Sequence, residues 1–578
     1  MDIPRVAIWL GLAIVSYLLV MAWNEDYHQQ SPSNEPVAAE ESSPATADPA
    51  GQPPSTTGKP DDAGDGFERP DSSMGGTAQE TGQAPSGTST DETAGDNGNT
   101  VQVVTDVLNA RISLNGGHLV EAQLPEHTRT RKSKQPLTLL QNDSERTYIL
   151  ESSLLGEGGS KRGHGNLTFN AKADTYRLEE GEDQLTVDLT HETESGVQII
   201  KRYTFERDHY RLKVSYHIRN GSNEPWKGYF SGRIVRDESE DPTSQRMIGV
   251  RAFLGMVLST PQDPYIKYEF SDLRETPLNR QVNGGWVAFL QHYFMSAWIP
   301  DPDKTHRYQT RMRGDNLHVM GFVSPGTKVA PGAEKEIDSR VYVGPKVIER
   351  LQGIAPNLDR TVDFGWLFFI SQPLFYLLDW FHDLTGNWGV AIILLTIVVK
   401  LAFYKLSATS YRSMANMRRV QPEMQRLKEQ YGDDRQKLSQ EMMNLYKKEK
   451  INPLGGCLPI LVQMPVFISL YWVLFESVQL RHAPFMLWIH DLSVMDPYFI
   501  LPILMGGSMF LQMQLNPTPP DPVQAKVMKI LPIMFTFFFL WFPAGLVLYW
   551  LSNNLLSMAQ QFFIYRQIEK EQGQSPKG

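Results

Sequence analysis

The sequence predicts a polytopic α-helical membrane protein with one large all-β domain held outside the bilayer. Three observations predict it: an uncharged apolar run at Val6–Trp23, apolar–polar alternation from Val101 to about Val343, and a series of long apolar runs after Trp388. The mean hydropathy of −0.33 by itself suits a soluble chain, but it averages over strongly segregated apolar and polar stretches. Val6–Trp23 is 18 residues long, enough to cross a bilayer core as a helix. Met21-Ala22-Trp23-Asn24 lacks the small-x-small pattern of a cleavage site, so residues 1–23 read as an uncleaved signal anchor with a cytoplasmic N-terminus.

Residues 24–100 hold fifteen Asp and Glu against Lys59 and Arg69, a net −13 in a chain whose total is −10. Rich in Pro, Gly, Ser and Thr, this segment cannot bury enough apolar surface to offset the entropy of ordering, and it reads as a disordered acidic linker. Residues 101–578 are left with +3, so the pI of 5.8 says nothing about partners of the folded parts. The one cysteine, Cys457, excludes an intrachain disulfide and reads as a buried inert thiol. No metal-ligand spacing, P-loop, H-E-x-x-H or G-x-S-x-G occurs, so no cofactor, metal, nucleotide or covalent catalysis is expected.

Over 101–345 the period is two. In Tyr210–Ile218, Leu212, Val214, Tyr216 and Ile218 fall on one face and Arg211, Lys213, Ser215 and His217 on the other. Gln184–Thr190 and Gln198–Phe205 repeat this, and Asn220-Gly221-Ser222-Asn223 is a turn cluster. The pattern predicts a large antiparallel β sandwich with scattered histidines and no catalytic constellation.

Asp363–Leu384 is apolar and aromatic but interrupted by Ser371, Gln372, Pro373, Asp379, His382 and Asp383, which suits a span or a helix lying in the interface. Apolar runs follow at Trp388–Tyr404, Leu454–Phe475, Tyr498–Leu515, Ile530–Phe542 and Ala544–Phe563, the last two turning at Pro543-Ala544-Gly545. Residues 400–450 contain twelve Lys and Arg against six acids, whereas 477–497 contain only Arg481. The positive-inside rule then places the first loop in the cytoplasm and the second outside, and Arg566, Lys570 and Lys577 place the C-terminus in the cytoplasm. Residues 24–386 lie outside, and parity makes 346–386 an amphipathic segment on the outer face, not a span. The expected total is six spans, the anchor plus five within 387–570, followed by a cytoplasmic tail at 571–578.

Inside the basic loop, Met417, Val420, Met424, Leu427 and Tyr431 recur at helical spacing. Leu438, Met442, Leu445 and Tyr446 resume it after Gly432-Asp433-Asp434, with Asp433 as the expected N-cap. This predicts an antiparallel helical hairpin over 407–451, closed by Asn452-Pro453. Its Arg418, Arg419, Arg426, Lys428, Arg435 and Lys437 read either as a solvated face whose charge topology dictates, or as a docking arm for a ribosome, a targeting factor or an emerging chain.

Lys400 lies twelve residues after Trp388, about 18 Å along a helix, in the cytoplasmic half of its run. It reads either as a lysine snorkelling to the interface or as a cation lining a wet groove, since a cation at the bilayer centre costs roughly 2.5–3.5 kcal/mol. Thr396, Gln463, Gln512, Gln514, Asn553, Asn554 and Ser557 suit such a groove and suit helix–helix hydrogen bonds equally well. Met464, Met505, Met509, Met513, Met528 and Met534 suit a surface that accepts many apolar helices, or ordinary packing. The absence of an internal repeat argues against a small-solute transporter, and no nucleophile–base pair in the spans argues for a hydrolase.

Asn387-Trp388-Gly389, Asn452-Pro-Leu-Gly-Gly-Cys-Leu-Pro459, Gln463-Met464-Pro465-Val466-Phe467, Leu487-Trp488-Ile489-His490-Asp491-Leu492, Asp496-Pro497-Tyr498 and Phe539–Tyr549 together resemble the Oxa/Alb/YidC family of membrane insertases. The resemblance covers roughly residues 360–570, and the anchor, linker and β domain match the layout of the family's Gram-negative branch. It implies a non-enzymatic, multi-pass protein of the bacterial inner membrane, with residues 24–386 in the periplasm. The β domain would be a supersandwich similar to sugar-mutarotase folds, without sugar chemistry. The five spans would form an insertase core around a hydrophilic groove, open to cytoplasm and lipid and closed toward the periplasm. The groove's cation, normally Arg in the family, is here Lys400, which keeps the charge but loses the planar bidentate fork. By position Thr396, Gln463 and Trp541 line or border the groove, with Asn554 as a further lining residue. Met464, Pro465 and Phe467 would form the surface along which substrate helices slide, faced by Tyr549. The implied function is insertion and folding of nascent inner-membrane proteins, alone or with the Sec translocon, in contact with the ribosome and the lipid bilayer. A Sec-associated chaperone without autonomous insertion is the alternative reading.

Overall fold

A computed structural model describes residues 99–156, 167–244, 252–432, 434–449, 458–515 and 522–573. The expected anchor, nearly all of the acidic linker, Cys457, and the Asn452-Pro453 closure of the hairpin lie outside the described residues.

The alternating segments are strands. Gln184–Glu192, Val197–Glu206 and Arg211–Asn220 form an antiparallel meander in which Leu212 faces Phe205, and Leu212, Val214, Tyr216 and Ile218 are all buried. Among the described residues, the strands from Thr100 to Pro345 assemble into one sheet of eleven and one of nine. Trp226–Arg236 runs between Thr147–Leu155 and Leu317–Val323 in the larger sheet. Glu334–Pro345 joins Arg211–Asn220 to Phe294–Ile299 in the smaller. The two sheets face each other as the expected sandwich. Trp298 Nε1 donates across to Arg233 O at 3.0 Å, Tyr148 OH to Ser296 Oγ at 2.7 Å, and Tyr216 OH to Ser152 O at 3.0 Å.

Charge is also buried between the sheets. Lys201 donates to the carbonyls of Gly116 and Ser152 at 3.0 and 3.1 Å. Burial pushes its ammonium well below the usual lysine range, and Arg233 adds to this. Burial pushes the Glu151 carboxyl up, but Arg233 and Arg313 outweigh it and hold the group below the usual carboxylate range. This network stitches the sandwich together, since each buried polar atom it satisfies removes a desolvation penalty.

Two short helices, α1 (Phe270–Glu275) and α2 (Ile348–Leu351), belong to the β domain and its exit. Then come α3 (Phe368–Thr385), α4 (Trp388–Ala402), α5 (Tyr404–Tyr431), α6 (Arg435–Lys448), α7 (Leu458–Glu476), α8 (Ile500–Gln514), α9 (Pro522–Phe539) and α10 (Ala544–Gly573). The segment expected to lie in the interface is α3. It buries Ser371, Phe375, Leu378 and Phe381 against α4 and α7, and leaves Phe368, Phe369, Tyr376, Trp380 and Leu384 exposed.

The apolar runs expected as spans are helical, but no single described helix is long and apolar enough to cross a membrane; only α4 and α5 together reach that length, bent by 68°. The bend falls at Phe403, next to the end of the apolar run Trp388–Tyr404 read from hydropathy. The hairpin forms as expected: α5 and α6 close on Val420, Met424 and Leu445, flanked by Met417, Leu427, Met442 and Tyr446. Its cap is one residue later than expected. Asp434 accepts the Lys437 amide at 3.0 Å, the three-residue spacing a capping carboxylate needs; Asp433 lies outside the described residues.

Candidate functional site

Thr396 and Lys400, one turn apart, share the buried face of α4 at 1% and 8% exposure. Thr396 Oγ1 donates back to Ile392 O at 2.7 Å. Lys400 turns into the helix bundle, where its Nζ donates to Ser557 Oγ of α10 at 2.7 Å. Ser557 Oγ donates on to Asn553 O at 2.7 Å, and Tyr411 of α5 approaches Ser557 O at 3.4 Å. One turn earlier on α10, Asn554 Nδ2 donates to Ser508 Oγ of α8 at 3.1 Å. Gln561, one turn later, reaches Leu515 O at 3.4 Å. Asn554, Ser557 and Gln561 therefore form a polar seam on α10 that touches α4, α5 and α8. Among the described residues no carboxylate pairs with Lys400.

Gln463, Met464, Pro465 and Phe467 lie on α7. Gln463, Pro465 and Phe467 are half-buried and Met464 is 36% exposed. Phe467 stacks on Tyr549 at 6.1 Å and meets Trp550 edge-on at 4.7 Å, which joins α7 to α10. Among the described residues, Gln463 shares no hydrogen bond with the Lys400 seam. Trp541 is outside any helix, in the turn between α9 and α10, with its ring against Phe537 at 4.8 Å. Ser557 is thirteen residues into α10, about 20 Å along the axis, so Trp541 sits at the opposite end of the bundle from Lys400. The structure thus brings together Lys400, Thr396 and Asn554 where α4 meets α10, sets Phe467 against Tyr549 with Met464 and Pro465 on the same helix as Phe467, and places Trp541 elsewhere.

That opposite end is closed by a compact lid. Asn387 caps α4 by accepting the Val390 amide at 3.1 Å and donates to Phe485 O at 3.1 Å. Trp388 stacks on His382 at 4.0 Å. Gly389 leaves room for the Phe485 ring, where a Cβ would come within 2.1 Å of Cδ2. Asp491 accepts from the His482 and Ser493 amides and the Ser493 hydroxyl. Asp496, fully buried, accepts from Trp488 Nε1, the Tyr498 amide and the Leu501 amide at 2.7–3.0 Å. The amides of Ala544 and Gly545 at the start of α10 are taken by Val494 and Leu492 carbonyls of the same lid.

The β domain is pinned to this end. Lys346 Nζ meets Glu476, the last residue of α7, at 2.9 Å, with both side chains at most 5% exposed. His292 Nε2 contacts Phe475 O at 3.0 Å, Arg481 donates to Arg129 O at 2.8 Å, and Lys267 pairs with Asp363. Burial, aided by Lys346, lowers the His292 pKa to about 3, so its ring is neutral. Sequence reasoning missed this joint. Its partners are 96 residues or more apart, and the one local hint was an acid ending an apolar run.

On the hairpin, Arg418, Arg419, Arg426, Lys428 and Lys437 are exposed, and the Arg435 side chain lies outside the described residues. Arg419 pairs with Glu449 at 2.9 Å and Lys437 lies over the Tyr431 ring at 5.3 Å. Among the described residues, one set of potential metal ligands converges within 4.8 Å: Asp379, His382 and Asp383 of α3. It is an open helix face with His382 stacked on Trp388.

Comparison with known proteins fits this architecture. The family model described as YidC periplasmic domain matches residues 100–377, and that described as 60Kd inner membrane protein matches residues 380–571. The membrane protein insertase YidC of Marinobacter nauticus is 60% identical over 576 residues, 99% of each chain. The protein of the same name from Hahella chejuensis is 54% identical over 575 residues, 98% of each chain. A solved active YidC insertase with its first transmembrane domain resolved matches 82% of this chain and 94% of its own at 19% identity and a TM-score of 0.37. The chain belongs to the YidC family of membrane protein insertases.

Proposed function

We propose that this chain inserts and folds proteins of the bacterial inner membrane by admitting a short polar tail into a hydrophilic groove bordered by α4, α7 and α10. The observation that carries the reading is Lys400: a buried cation held by a hydroxyl, with no carboxylate paired to it. A charge kept in such a place is costly, and it is suited to attract an acidic tail arriving from the cytoplasm. Thr396, Asn554 and Gln463 keep the tail hydrated. The apolar helix behind it leaves sideways along Met464, Pro465 and Phe467, opposite Tyr549, into lipid where burial is favourable. Trp541 belongs to the closed periplasmic end. No bond is made or broken. The membrane potential assists transfer of an acidic tail at roughly 2.3 kcal/mol per charge per 100 mV.

The topology that goes with this has six spans: the anchor at 1–23, then α4, α7, α8, α9 and α10. Both termini are cytoplasmic and residues 24–386 periplasmic, with the exposed aromatics of α3 seated in the outer interface. At 15 residues each, α4 and α8 are about 22 Å long, short of a ~30 Å hydrocarbon core. Such short helices thin the bilayer around them, which shortens the dry path for a polar tail. The cytoplasmic hairpin, through Arg418, Arg419, Arg426, Lys428, Arg435 and Lys437, serves as the docking arm for a ribosome, a targeting factor or an emerging chain.

The test is reconstitution in liposomes with a ribosome-free two-span substrate bearing a short acidic translocated tail, scored by protease protection. Insertion by wild type and Lys400→Arg but not by Lys400→Ala is the expected result. Equal insertion by all three reduces Lys400 to a snorkelling residue. No insertion above empty liposomes, with folded protein and a competent substrate, favours a Sec-associated chaperone.

A further inference from the structure

The 68° elbow between α4 and α5 opens a pocket of about 510 Å³ between the first turns of α5 and the last turns of α10. Tyr404, Lys405, Thr409 and Arg412 line it from α5, and Ile564 and Gln567 from α10. Lys405, Thr409 and Arg412 are spaced i, i+4, i+7, so one helix face presents two cations and a hydroxyl together. No carboxylate is in the lining, and among the described residues neither Lys405 nor Arg412 has an ion-pair partner. Both are exposed. Exposed apolar side chains flank this polar floor in the chain: Leu401, near the end of α4 on the other side of the elbow, is 65% exposed, and Phe563, one turn before Gln567 on α10, is 68% exposed.

A cationic floor flanked by uncovered apolar side chains matches an amphiphile with an anionic head. A nucleic-acid phosphate or an inorganic anion has nothing to place on Leu401 and Phe563. We infer that the elbow binds one anionic phospholipid of the cytoplasmic leaflet, its phosphate held by Lys405 and Arg412 and its acyl chains lying along Leu401 and Phe563. The leaflet assignment rests on the topology proposed above; the binding itself does not. The site lies at the hinge from which the hairpin departs, so an occupied headgroup fixes the hairpin's exit angle beside Lys400.

The test is native mass spectrometry of the full chain in detergent, titrated with phosphatidylglycerol, phosphatidylcholine or glycerol 3-phosphate. Lys405→Gln/Arg412→Gln is compared with Lys447→Gln/Lys448→Gln, which removes the same charge at the end of α6. The expected result is a single phosphatidylglycerol retained in preference to phosphatidylcholine, weakened roughly 10- to 30-fold by the first pair, as two interfacial cations predict, and unchanged by the second. Equal weakening by both pairs, or by neither, overturns the site. Glycerol 3-phosphate binding as tightly as the lipid also overturns it, as a bare anion site. Liposome insertion is scored separately, so a wild-type chain that retains no phosphatidylglycerol yet still inserts refutes this inference and leaves the insertase reading standing.

Discussion

Glu476→Ala removes the carboxylate that Lys346 faces at 2.9 Å and leaves an ammonium buried at the joint between the β domain and α7. At that distance the attraction is ~6 kcal/mol for an effective dielectric of about 20, most of which offsets the desolvation of the two ions. Breaking one side of such a pair therefore costs roughly 3–5 kcal/mol, whereas replacing both ions with apolar groups of similar volume is neutral or stabilising. Glu476→Ala should lower the thermal midpoint of the purified full chain by roughly 10 °C, taking about 2–4 °C per kcal/mol for a domain of this size. Lys346→Met/Glu476→Leu should return it close to wild type. Tryptophan fluorescence during heating in detergent reads the midpoint, with Trp286 and Trp298 in the β core and Trp472 on α7 as reporters. A double variant as unstable as the single one would refute the buried-pair reasoning. So would a single variant at the wild-type midpoint, which would mean that water reaches the joint.

Three further outcomes follow from the same geometry. The folded-state pKa of His292, about 3, lies below the unfolded value near 6.5, so its contribution is complete above pH ~6.5 and drains away as pH falls toward 3. The midpoint of wild type should then fall more steeply between pH 7 and 4.5 than that of His292→Gln; parallel curves would count against it, and the other histidines lowered by burial, His118 to about 3, His127 to about 4, and His306 and His482, contribute to the residual slope. Gly389→Ala puts a Cβ within 2.1 Å of the Phe485 ring, an overpacking cost of about 1–3 kcal/mol, and should speed amide exchange over 482–492 while leaving the β sheets protected. Val420→Asp places a carboxylate in the hairpin seam and should open α5 and α6 to limited proteolysis, with the β-domain midpoint unchanged.

What could be read from sequence follows the physics of each element. Arg211–Asn220 was legible because one of its faces is buried and the other half-exposed, so period two survives. Trp286–Leu290 and Phe294–Ile299 are buried on both faces, and an unbroken apolar stretch carries no period to distinguish strand from helix. The hairpin seam was largely legible because a solvated helix pair has one apolar stripe: Met417, Val420, Met424, Leu427, Met442, Leu445 and Tyr446 pack in it, whereas Tyr431 and Leu438 are not among them, and its cap was missed by one position because Asp433 and Asp434 are chemically equivalent candidates. In the bundle the limits are sharper. Lys400 and Thr396 are related by a single turn, but Ser557 lies 157 residues from Lys400, and only packing makes them neighbours. Ile530–Phe542 is uniformly apolar, so hydropathy could not show that α9 ends at Phe539 and leaves Trp541 in a turn.

The stretches that carry the family resemblance divide between two tasks. Gln463–Phe467 lies on α7 beside the proposed groove, whereas Asn387-Trp388-Gly389, Leu487–Leu492 and Asp496–Tyr498 build the lid at the far end. In the lid Asn387, Asp491 and Asp496 accept backbone amides and the Trp488 indole. Polar side chains spent on capping and on satisfying turns do no chemistry, yet here they bear directly on function. A groove that holds a cation on one side of a membrane must not leak on the other, and a seal made of short loops needs every buried amide satisfied. Glu476 and Asp496 then act at one structure: the first ties the end of α7 to the β domain, and the second ties the lid to the start of α8. The β domain is thereby coupled to the closed end of the bundle and not to the Lys400 seam. Disturbing the joint should loosen the seal before it alters the groove cation's surroundings.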